Sequence, residues 1–395
     1  MSADMFASVN GLPPDAIFHL AGRANAAPSP KANLVIGAYR DSAGKPYPLK
    51  VVRKTEEKLL AMNMNYEYQP IAGHAGFIDA SLKLLYGDSV DREHLVGVQT
   101  LSGTGAVMTA AFFLARMLSK ETTGVYISDP TWPNHHGIFK LAGFKKVTTY
   151  RYYDAKKIDF DFEGMKADVL AAPEGSIFVL HECAHNPTGV DPTQEQWGEL
   201  ADLFLQKKHY VLMDSAYQGY ASGSLDEDAF AARCFVKKGV QIMAAQSYSK
   251  NLGLYNERIG ALSVVLRDPK CGTAVKSVLE NIIRTNYSNP PAHGARLVHL
   301  ILTDRKLRKE WEDELAAMAN RIKAMRQLVY NHLKQLGTPG NWDHVIKQIG
   351  MFSYLGLTKA QCEYCQQKNV FITLTGRANM AGLTEETAEL LAKTI

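Results

Sequence analysis

The sequence is poor in cysteine, in excess charge and in long apolar runs. Five cysteines among 395 residues are too few for a disulfide framework, and their odd number leaves at least one thiol unpaired. We therefore expect a reducing compartment, the cytoplasm. Lys and Arg number 44 against 40 Asp and Glu, a formal net charge of +4, so the composition calls for neither nucleic acid nor an anionic membrane as a partner.

Targeting and membrane segments are also missing from the pattern. The N-terminus has neither the basic start and apolar run of a secretory signal nor the Arg-rich composition of a transit peptide. The one stretch that resembles a membrane span, 95–115, is interrupted by polar residues and glycines at 99–105, which would be costly in lipid. We predict a strand, a turn and a helix there instead.

Alternating strand and helix patterns run through the middle of the chain, which is long enough for more than one domain. Short apolar runs occur at 125–127, 176–180, 210–213, 241–244 and 261–265, with helical patterns between them. This alternation predicts an α/β domain with a mostly parallel sheet, whose ligands bind at the carboxyl ends of the strands.

The C-terminal part has a different pattern. Apolar residues at spacings of three and four predict one long amphipathic helix over 305–336. Beyond it, 351–355 and 370–373 are strand-like, and 358–368 and 384–394 are helical. We expect a smaller α+β unit, built from this part together with the N-terminal segment, in which 15–24 forms a short helix.

Two residues that can do chemistry follow neighbouring predicted strands. Lys250 lies after the strand at 241–245 in an uncharged segment, where desolvation disfavours the ammonium form and a neutral amine can form a Schiff base. Asp214 follows the apolar run 210–213. Taken singly, the lysine would be a surface residue and the aspartate a helix N-cap. Together they suit pyridoxal phosphate, which needs an acid for its pyridine nitrogen and an amine for its aldehyde.

A phosphate site is indicated by the turn Ser102-Gly103-Thr104-Gly105-Ala106, between a predicted strand and an Ala-rich helix. Helix N-termini bind phosphate through free N–H groups and the helix dipole. The turn matches neither the dinucleotide fingerprint nor the P-loop, and alone it is ordinary loop chemistry. Arg258 can add a bidentate contact to the same phosphate.

These residues belong to motifs that occur together in one family. The motifs are Asp129-Pro130-Thr131-Trp132-Pro133, Asn186-Pro187-Thr188-Gly189, Asp214-Ser215-Ala216-Tyr217, Ser247-Tyr248-Ser249-Lys250-Asn251 with Arg258, Ser288-Asn289-Pro290-Pro291, and Gly376-Arg377. In this order, from Gly37 to Arg377, they resemble the class I aspartate aminotransferases.

The resemblance implies a fold and a partition of the chain. The fold is that of the fold-type I pyridoxal-phosphate-dependent transferases, an α/β fold whose large domain has a mostly parallel central sheet flanked by helices, with a smaller α+β domain. Residues 1–44 are then an N-terminal arm and part of the small domain, 45–313 the large cofactor-binding domain, and 314–395 the C-terminal part of the small domain. The family is homodimeric, with active sites shared across the interface and the arm before Pro28 packed on the other subunit.

The resemblance also implies cofactor contacts. Lys250 would hold pyridoxal phosphate as a Schiff base and then move a proton at the substrate, while Asp214 would pair with the pyridine nitrogen. Asn186 and Tyr217 would hydrogen-bond the phenolic oxygen, and Trp132 would stack on the ring. The phosphate would be held by Ser102, Gly103, Thr104, Ser247, Arg258 and, from the neighbouring subunit, Tyr68. His135 would orient Asp214 from behind.

Substrate contacts follow in the same way. Arg377 would clamp the α-carboxylate with its guanidinium fork, and Arg284, lent by the other subunit, would bind the distal carboxylate. Gly37, Trp132, Asn186 and Phe352 would line the substrate pocket. The implied reaction is the reversible ping-pong transfer of an amino group from L-aspartate to 2-oxoglutarate, which gives oxaloacetate and L-glutamate.

Alternatives remain open at this point. A broad-specificity or aromatic aminotransferase of the same family, or a β-lyase, would share Lys250 and Asp214 without needing Arg284. A regulator that keeps the fold as an effector-binding module would carry a DNA-binding domain, for which the segment before the resemblance is too short. Cys362 and Cys365 form a C-x-x-C within a predicted helix and without a second pair, so no metal site is predicted.

Overall fold

A seven-stranded sheet forms the centre of the fold. The computed structural model describes residues 4–395. The strands of the described chain, those of the central sheet and those of three small two-stranded sheets together, are β1 (Ala32–Asn33), β2 (Leu95–Leu101), β3 (Gly124–Asp129), β4 (Lys146–Arg151), β5 (Tyr153–Asp154), β6 (Asp159–Phe160), β7 (Ile177–His181), β8 (Tyr210–Ser215), β9 (Ile242–Ser247), β10 (Ile259–Val265), β11 (Phe352–Tyr354), β12 (Val370–Phe371) and β13 (Arg377–Asn379).

Helices surround this sheet and build most of the rest of the fold. The α-helices are α1 (Ala16–Ala26), α2 (Lys50–Ala61), α3 (Ala75–Tyr86), α4 (Ser102–Met117), α5 (Asn134–Leu141), α6 (Phe162–Ala171), α7 (Gln194–Gln206), α8 (Leu225–Asp228), α9 (Phe230–Lys237), α10 (Gly272–Tyr287), α11 (His293–Thr303), α12 (Arg305–Gln335), α13 (His344–Lys347), α14 (Lys359–Gln367) and α15 (Glu385–Thr394). In the part of the chain that the structure describes, no helix is long and apolar enough to cross a membrane.

The direction of the strands decides which residues meet. The order in the central sheet is β2, β10, β9, β8, β7, β3, β4. Only β10 runs antiparallel to its neighbours, and the remaining adjacent pairs are parallel, so the predicted mostly parallel sheet is confirmed. Because β8 and β9 end where β10 begins, Asp214, Ser247 and Arg258 come to one edge of the sheet.

The inner strands are predominantly apolar, as expected for strands that helices cover on both faces. Every residue of β7, β9 and β10 is buried, which confirms the strands predicted from the short apolar runs. The edge strand β4 was not predicted. Its sequence, Lys-Val-Thr-Thr-Tyr-Arg, is polar because an edge strand that pairs with β3 alone is protected from further pairing by charged side chains.

The C-terminal unit is organised around α12. This helix spans 31 residues and is capped by Asp304, whose carboxylate accepts hydrogen bonds from the N–H groups of Lys306 and Leu307, so the predicted long helix is confirmed. β11 pairs with β13, and β1 pairs with β12. The strand predicted at 370–373 is shorter than expected, because pairing with β1 extends over two residues only. The predicted domain boundary between 313 and 314 falls inside the continuous α12.

The N-terminal segment forms the expected short helix, α1, which Asp15 caps. Leu20, Ala21 and Ala24 of α1 pack with Val35 and Phe371. One face of α1 therefore packs on its own chain, and packing of the arm before Pro28 on the other subunit stays a prediction. The residues before it leave several apolar side chains exposed: Met5, Phe6, Val9 and Leu12.

Candidate active site

A cavity of about 350 Å³ opens at the carboxyl edge of the sheet, between it and the C-terminal unit. It brings together most of the site residues predicted from the sequence. Those that line it are Gly37, Ser102, Gly103, Thr104, Trp132, Asn186, Asp214, Tyr217, Ser247, Lys250, Arg258, Phe352 and Arg377. Segments more than 300 residues apart in sequence therefore share one site.

Lys250 lies in the turn after β9, with its ammonium nitrogen 5.9 Å from the centre of the Tyr217 ring and 5.8 Å from that of Tyr255. Burial lowers the pKa of this amine to about 8, against the attraction of Asp214, and the charges of Arg258 and Arg377 lower it further. The amine is therefore far easier to deprotonate than a surface lysine, as a nucleophile or a general base must be.

Asp214 is a buried residue of β8 and contacts His135, whose Nε2 lies 3.0 Å from Oδ2. Burial works to raise the pKa of this carboxyl, but the hydrogen bond and charge of His135, with smaller effects from His181 and Lys250, bring the pKa below its usual value. An ionised carboxylate only accepts, so Nε2 of His135 carries the proton, and Nδ1 is left to Thr131 Oγ1 at 2.9 Å. Asp214 is thus held as a fixed negative charge.

Hydroxyl groups cluster at the start of α4. Ser102 Oγ lies 3.0 Å from Ser247 Oγ and 2.8 Å from Ser249 Oγ, and Arg258 donates to Ser249 Oγ at 3.4 Å. No side chain caps α4, so the N–H groups of its first turn are free to bind an anion. A Cβ atom at position 103 would lie 3.1 Å from Ser247 Cβ, so glycine keeps the space beside the hydroxyl cluster open.

Arg377 is a buried cation without an acidic partner in the described part of the chain. Its Nη2 donates to Val35 O at 2.7 Å and its Nη1 to Asn186 Oδ1 at 3.4 Å, while Nε has no partner. Burial lowers the pKa of the guanidinium, and the ring of Phe352 lies 4.4 Å from it. A desolvated guanidinium with free donors suits a carboxylate ligand.

The remaining wall is made of aromatic and amide groups. Asn186 Nδ2 donates to Tyr217 Oη at 3.4 Å, and burial raises the pKa of Tyr217, so its phenol stays neutral. Gly37 packs closely against the Phe352 ring, because a Cβ there would lie 2.6 Å from Phe352 Cζ. Trp132 meets the His135 ring edge-on at 5.2 Å.

Two predicted residues lie elsewhere. Tyr68 is 88% exposed, and the exposed Arg284 donates to Ser288 Oγ. Neither lines the cavity of its own chain. The structure therefore leaves both side chains on the surface, where a second subunit can reach them.

Sequence reasoning missed several residues of the site. Ser249, His181 and Tyr255 line the cavity, and the motifs predict no role for them. Ile17 and Phe18 line the cavity from the first turn of α1; no local pattern connects that helix with β8 or β9. Cys362 and Cys365 lie buried on α14 as free thiols.

Known proteins resemble this chain in sequence and in structure. Residues 29–395 match the family model described as aminotransferase class I and II. The cytoplasmic aspartate aminotransferase of Gallus gallus is 45% identical over 404 residues, which cover 100% of this chain and 98% of that protein. The structure of the broad specificity aminotransferase from Leishmania mexicana is 62% identical, with a TM-score of 0.97 over 98% of this chain and 96% of that one. An aromatic-amino-acid aminotransferase from Burkholderia pseudomallei, described as covalently bound to pyridoxal phosphate, is 37% identical, with a TM-score of 0.95 over 99% and 98%.

Proposed function

This chain belongs to the class I and II aminotransferases, and we propose that it is an aspartate aminotransferase, which reversibly transfers the amino group of L-aspartate to 2-oxoglutarate. One observation carries the proposal: a single cavity holds the low-pKa amine of Lys250, the ionised Asp214 and the guanidinium of Arg377, whose Nε has no partner. Relatives 45–47% identical to it are named aspartate aminotransferases of the cytoplasm.

The cavity fits pyridoxal phosphate as the cofactor. When bound, pyridoxal phosphate supplies an electron sink for the bond that breaks at the substrate Cα. The hydroxyl cluster of Ser102, Ser247 and Ser249, with Arg258 and the free N–H groups of α4, would hold the phosphate. Asp214 would hold the pyridine nitrogen, Trp132 would cover the ring, and Asn186 and Tyr217 would bind the phenolic oxygen.

Within this site Lys250 has the role of acid and base. Its lowered pKa leaves a sizeable neutral fraction near pH 8, so the amine would take a proton from the substrate Cα and deliver it to C4′, the aldehyde carbon of the bound cofactor. The rings of Tyr217 and Tyr255 enclose the amine and keep water from the reacting atoms. Asp214 stays charged throughout because His135 holds it.

Substrate recognition is assigned to two arginines. Arg377, supported by Asn186, would bind the α-carboxylate, and Arg284 of the partner subunit would bind the distal carboxylate. This assignment makes the protein a homodimer, and the exposed Tyr68 would reach the phosphate across the same interface. Free cysteines throughout the chain and the names of the relatives support a cytoplasmic location.

Specificity for a dicarboxylate is tested by Arg284→Ala. We expect kcat/KM for aspartate to fall by about 10²-fold to 10³-fold, because a charge-assisted carboxylate contact is lost, while the value for phenylalanine changes little. Steady-state rates with 2-oxoglutarate as acceptor measure both. Lys276→Ala, an exposed charge on the same helix α10, is the control. Unchanged aspartate turnover in Arg284→Ala would refute the dicarboxylate specificity.

A second candidate is a broad-specificity or aromatic aminotransferase of this family. The relative from Leishmania mexicana carries that description, and Ile17, Phe18 and Ile36 add apolar surface to the cavity. Rates for tyrosine and phenylalanine comparable with the rate for aspartate would favour this candidate.

Sharing of the active site is tested by mixing two inactive variants. A hybrid dimer of Lys250→Ala and Arg284→Ala subunits has one site with both defects and one site with neither, provided that Arg284 acts across the interface. Random reassociation should then restore about one quarter of the wild-type aspartate activity, since half of the dimers are hybrids with one intact site each. The mixture would stay inactive if Arg284 served its own chain.

A further inference from the structure

Arg326, in the middle of α12, is a buried cation that the chemistry described above does not use. Arg326 is only 2% exposed. Its guanidinium has no salt-bridge partner among residues 4–395. Burial lowers the pKa of the guanidinium to about 9, which leaves it charged at neutral pH. Burying a charge without a counter-ion is costly, so its contacts must compensate for that cost.

The guanidinium binds a single segment of the chain, at four of its carbonyl groups. Nη1 donates to Val345 O at 3.0 Å. Nη2 lies 2.5 Å from Phe352 O, 3.0 Å from Gly350 O and 3.4 Å from Ile349 O. These carbonyls turn towards one point because the chain bends at Gly350, where φ is +76°. Arg326 therefore fixes the segment 345–352 to α12.

This segment leads directly into the active site. Phe352 is the first residue of β11, which pairs with β13 so that Tyr354 lies opposite Arg377. The Phe352 ring lies 4.4 Å from the Arg377 guanidinium and fills the space that Gly37 leaves open. A shift of the Phe352 backbone would therefore move the surface against which Arg377 packs.

We propose that Arg326 is a positioning residue for substrate recognition: by holding the carbonyls of 345–352 it sets the place of Phe352 and, through it, the orientation of Arg377. The inference rests on the proposed function, which assigns the substrate α-carboxylate to Arg377. A planar fork with several N–H donors can serve carbonyls in different directions, which a lysine ammonium cannot match in this geometry.

The test compares Arg326→Met and Arg326→Lys with a control of similar burial. Leu307, also a buried residue of α12, lies 19 residues away, so Leu307→Ala should lower Tm without disturbing the contacts of Arg326 or Arg377. Binding of succinate, an unreactive dicarboxylate, to each holoenzyme is measured by calorimetry, with Tm and the visible absorbance of the cofactor. We expect the Kd of succinate to rise by at least about tenfold in Arg326→Met, since a small misplacement of the Arg377 guanidinium weakens carboxylate binding strongly. The Kd should rise by less in Arg326→Lys. Aspartate KM should rise more than kcat falls, and the absorbance should stay that of wild type.

The outcomes separate this inference from the proposed function. Succinate binding as tight in both Arg326 variants as in Leu307→Ala would show that Arg326 only stabilises the fold, and would overturn the inference. If Arg326→Met does not fold, Arg326→Lys decides in the same way. Wild-type holoenzyme that fails to bind succinate would overturn the proposed function and, with it, this inference.

Discussion

Replacing Lys250 with alanine should remove the visible absorbance of the lysine-bound cofactor and lower kcat by at least about 10⁴-fold. Loss of a general acid/base lowers the rate by up to about 10⁴-fold. Lys250 in addition supplies the covalent attachment of the cofactor. No other lysine lines the cavity, so no neighbouring amine in the described part of the chain can take over. Absorbance spectra of freshly purified protein and single-turnover rates with aspartate measure the two effects.

The control for this experiment is Lys156→Ala, which removes an exposed lysine and should leave spectrum and rate unchanged. Wild-type protein that shows no such band after reconstitution with pyridoxal phosphate would contradict the cofactor assignment. A Lys250→Ala protein that kept the wild-type band would show that another group holds the aldehyde.

Replacing Asp214 with asparagine should lower kcat by about 10³-fold or more and weaken cofactor retention. The substitution keeps the shape of the side chain but removes the negative charge that His135 stabilises 3.0 Å away. A neutral amide cannot keep a pyridine nitrogen protonated, and a fixed charge in a buried site is among the largest electrostatic contributions to catalysis. Kinetics and equilibrium dialysis of the cofactor provide the measurements.

Asp228→Asn is the matched control for Asp214→Asn. Asp228 is likewise a buried aspartate, but it accepts hydrogen bonds from the backbone N–H groups of Gly219, Ala221 and Ser222 and does not line the cavity. Its loss should lower Tm with little effect on cofactor retention. Equal loss of the cofactor in both variants would mean that Asp214 acts by stabilising the fold.

The electrostatics of the site depend on packing as much as on residue type. Lys250 and Asp214 have pKa values below the usual ones for opposite reasons, burial in the first case and the contact with His135 overcoming burial in the second. The result at neutral pH is an amine that can lose its proton beside a carboxylate that cannot gain one. That separation of roles is the condition for proton transfer by the lysine.

The local elements of this protein can be predicted from its sequence. The runs that became β7, β8 and β9 are almost entirely apolar, so their burial in a covered sheet followed from composition. Ser247, Lys250 and Arg258 lie within twelve consecutive residues, from the end of β9 to the start of β10, and a motif this short can be recognised without knowing the fold. The edge strand β4 could not be predicted because its sequence is polar. β12 is shorter than predicted because its partner β1 is short.

Which side chains meet depends on the tertiary structure. The contact between Arg377 and Asn186 joins positions 191 residues apart, and that between Arg377 and Val35 positions 342 apart. Ser249 belongs to the hydroxyl cluster, whereas Tyr68 and Arg284 lie on the surface. Arg326 donates hydrogen bonds to backbone carbonyls and not to a carboxylate. Periodicity in a sequence says which face of an element is buried, but not what lies opposite that face. That depends on strand order and on the packing of distant segments.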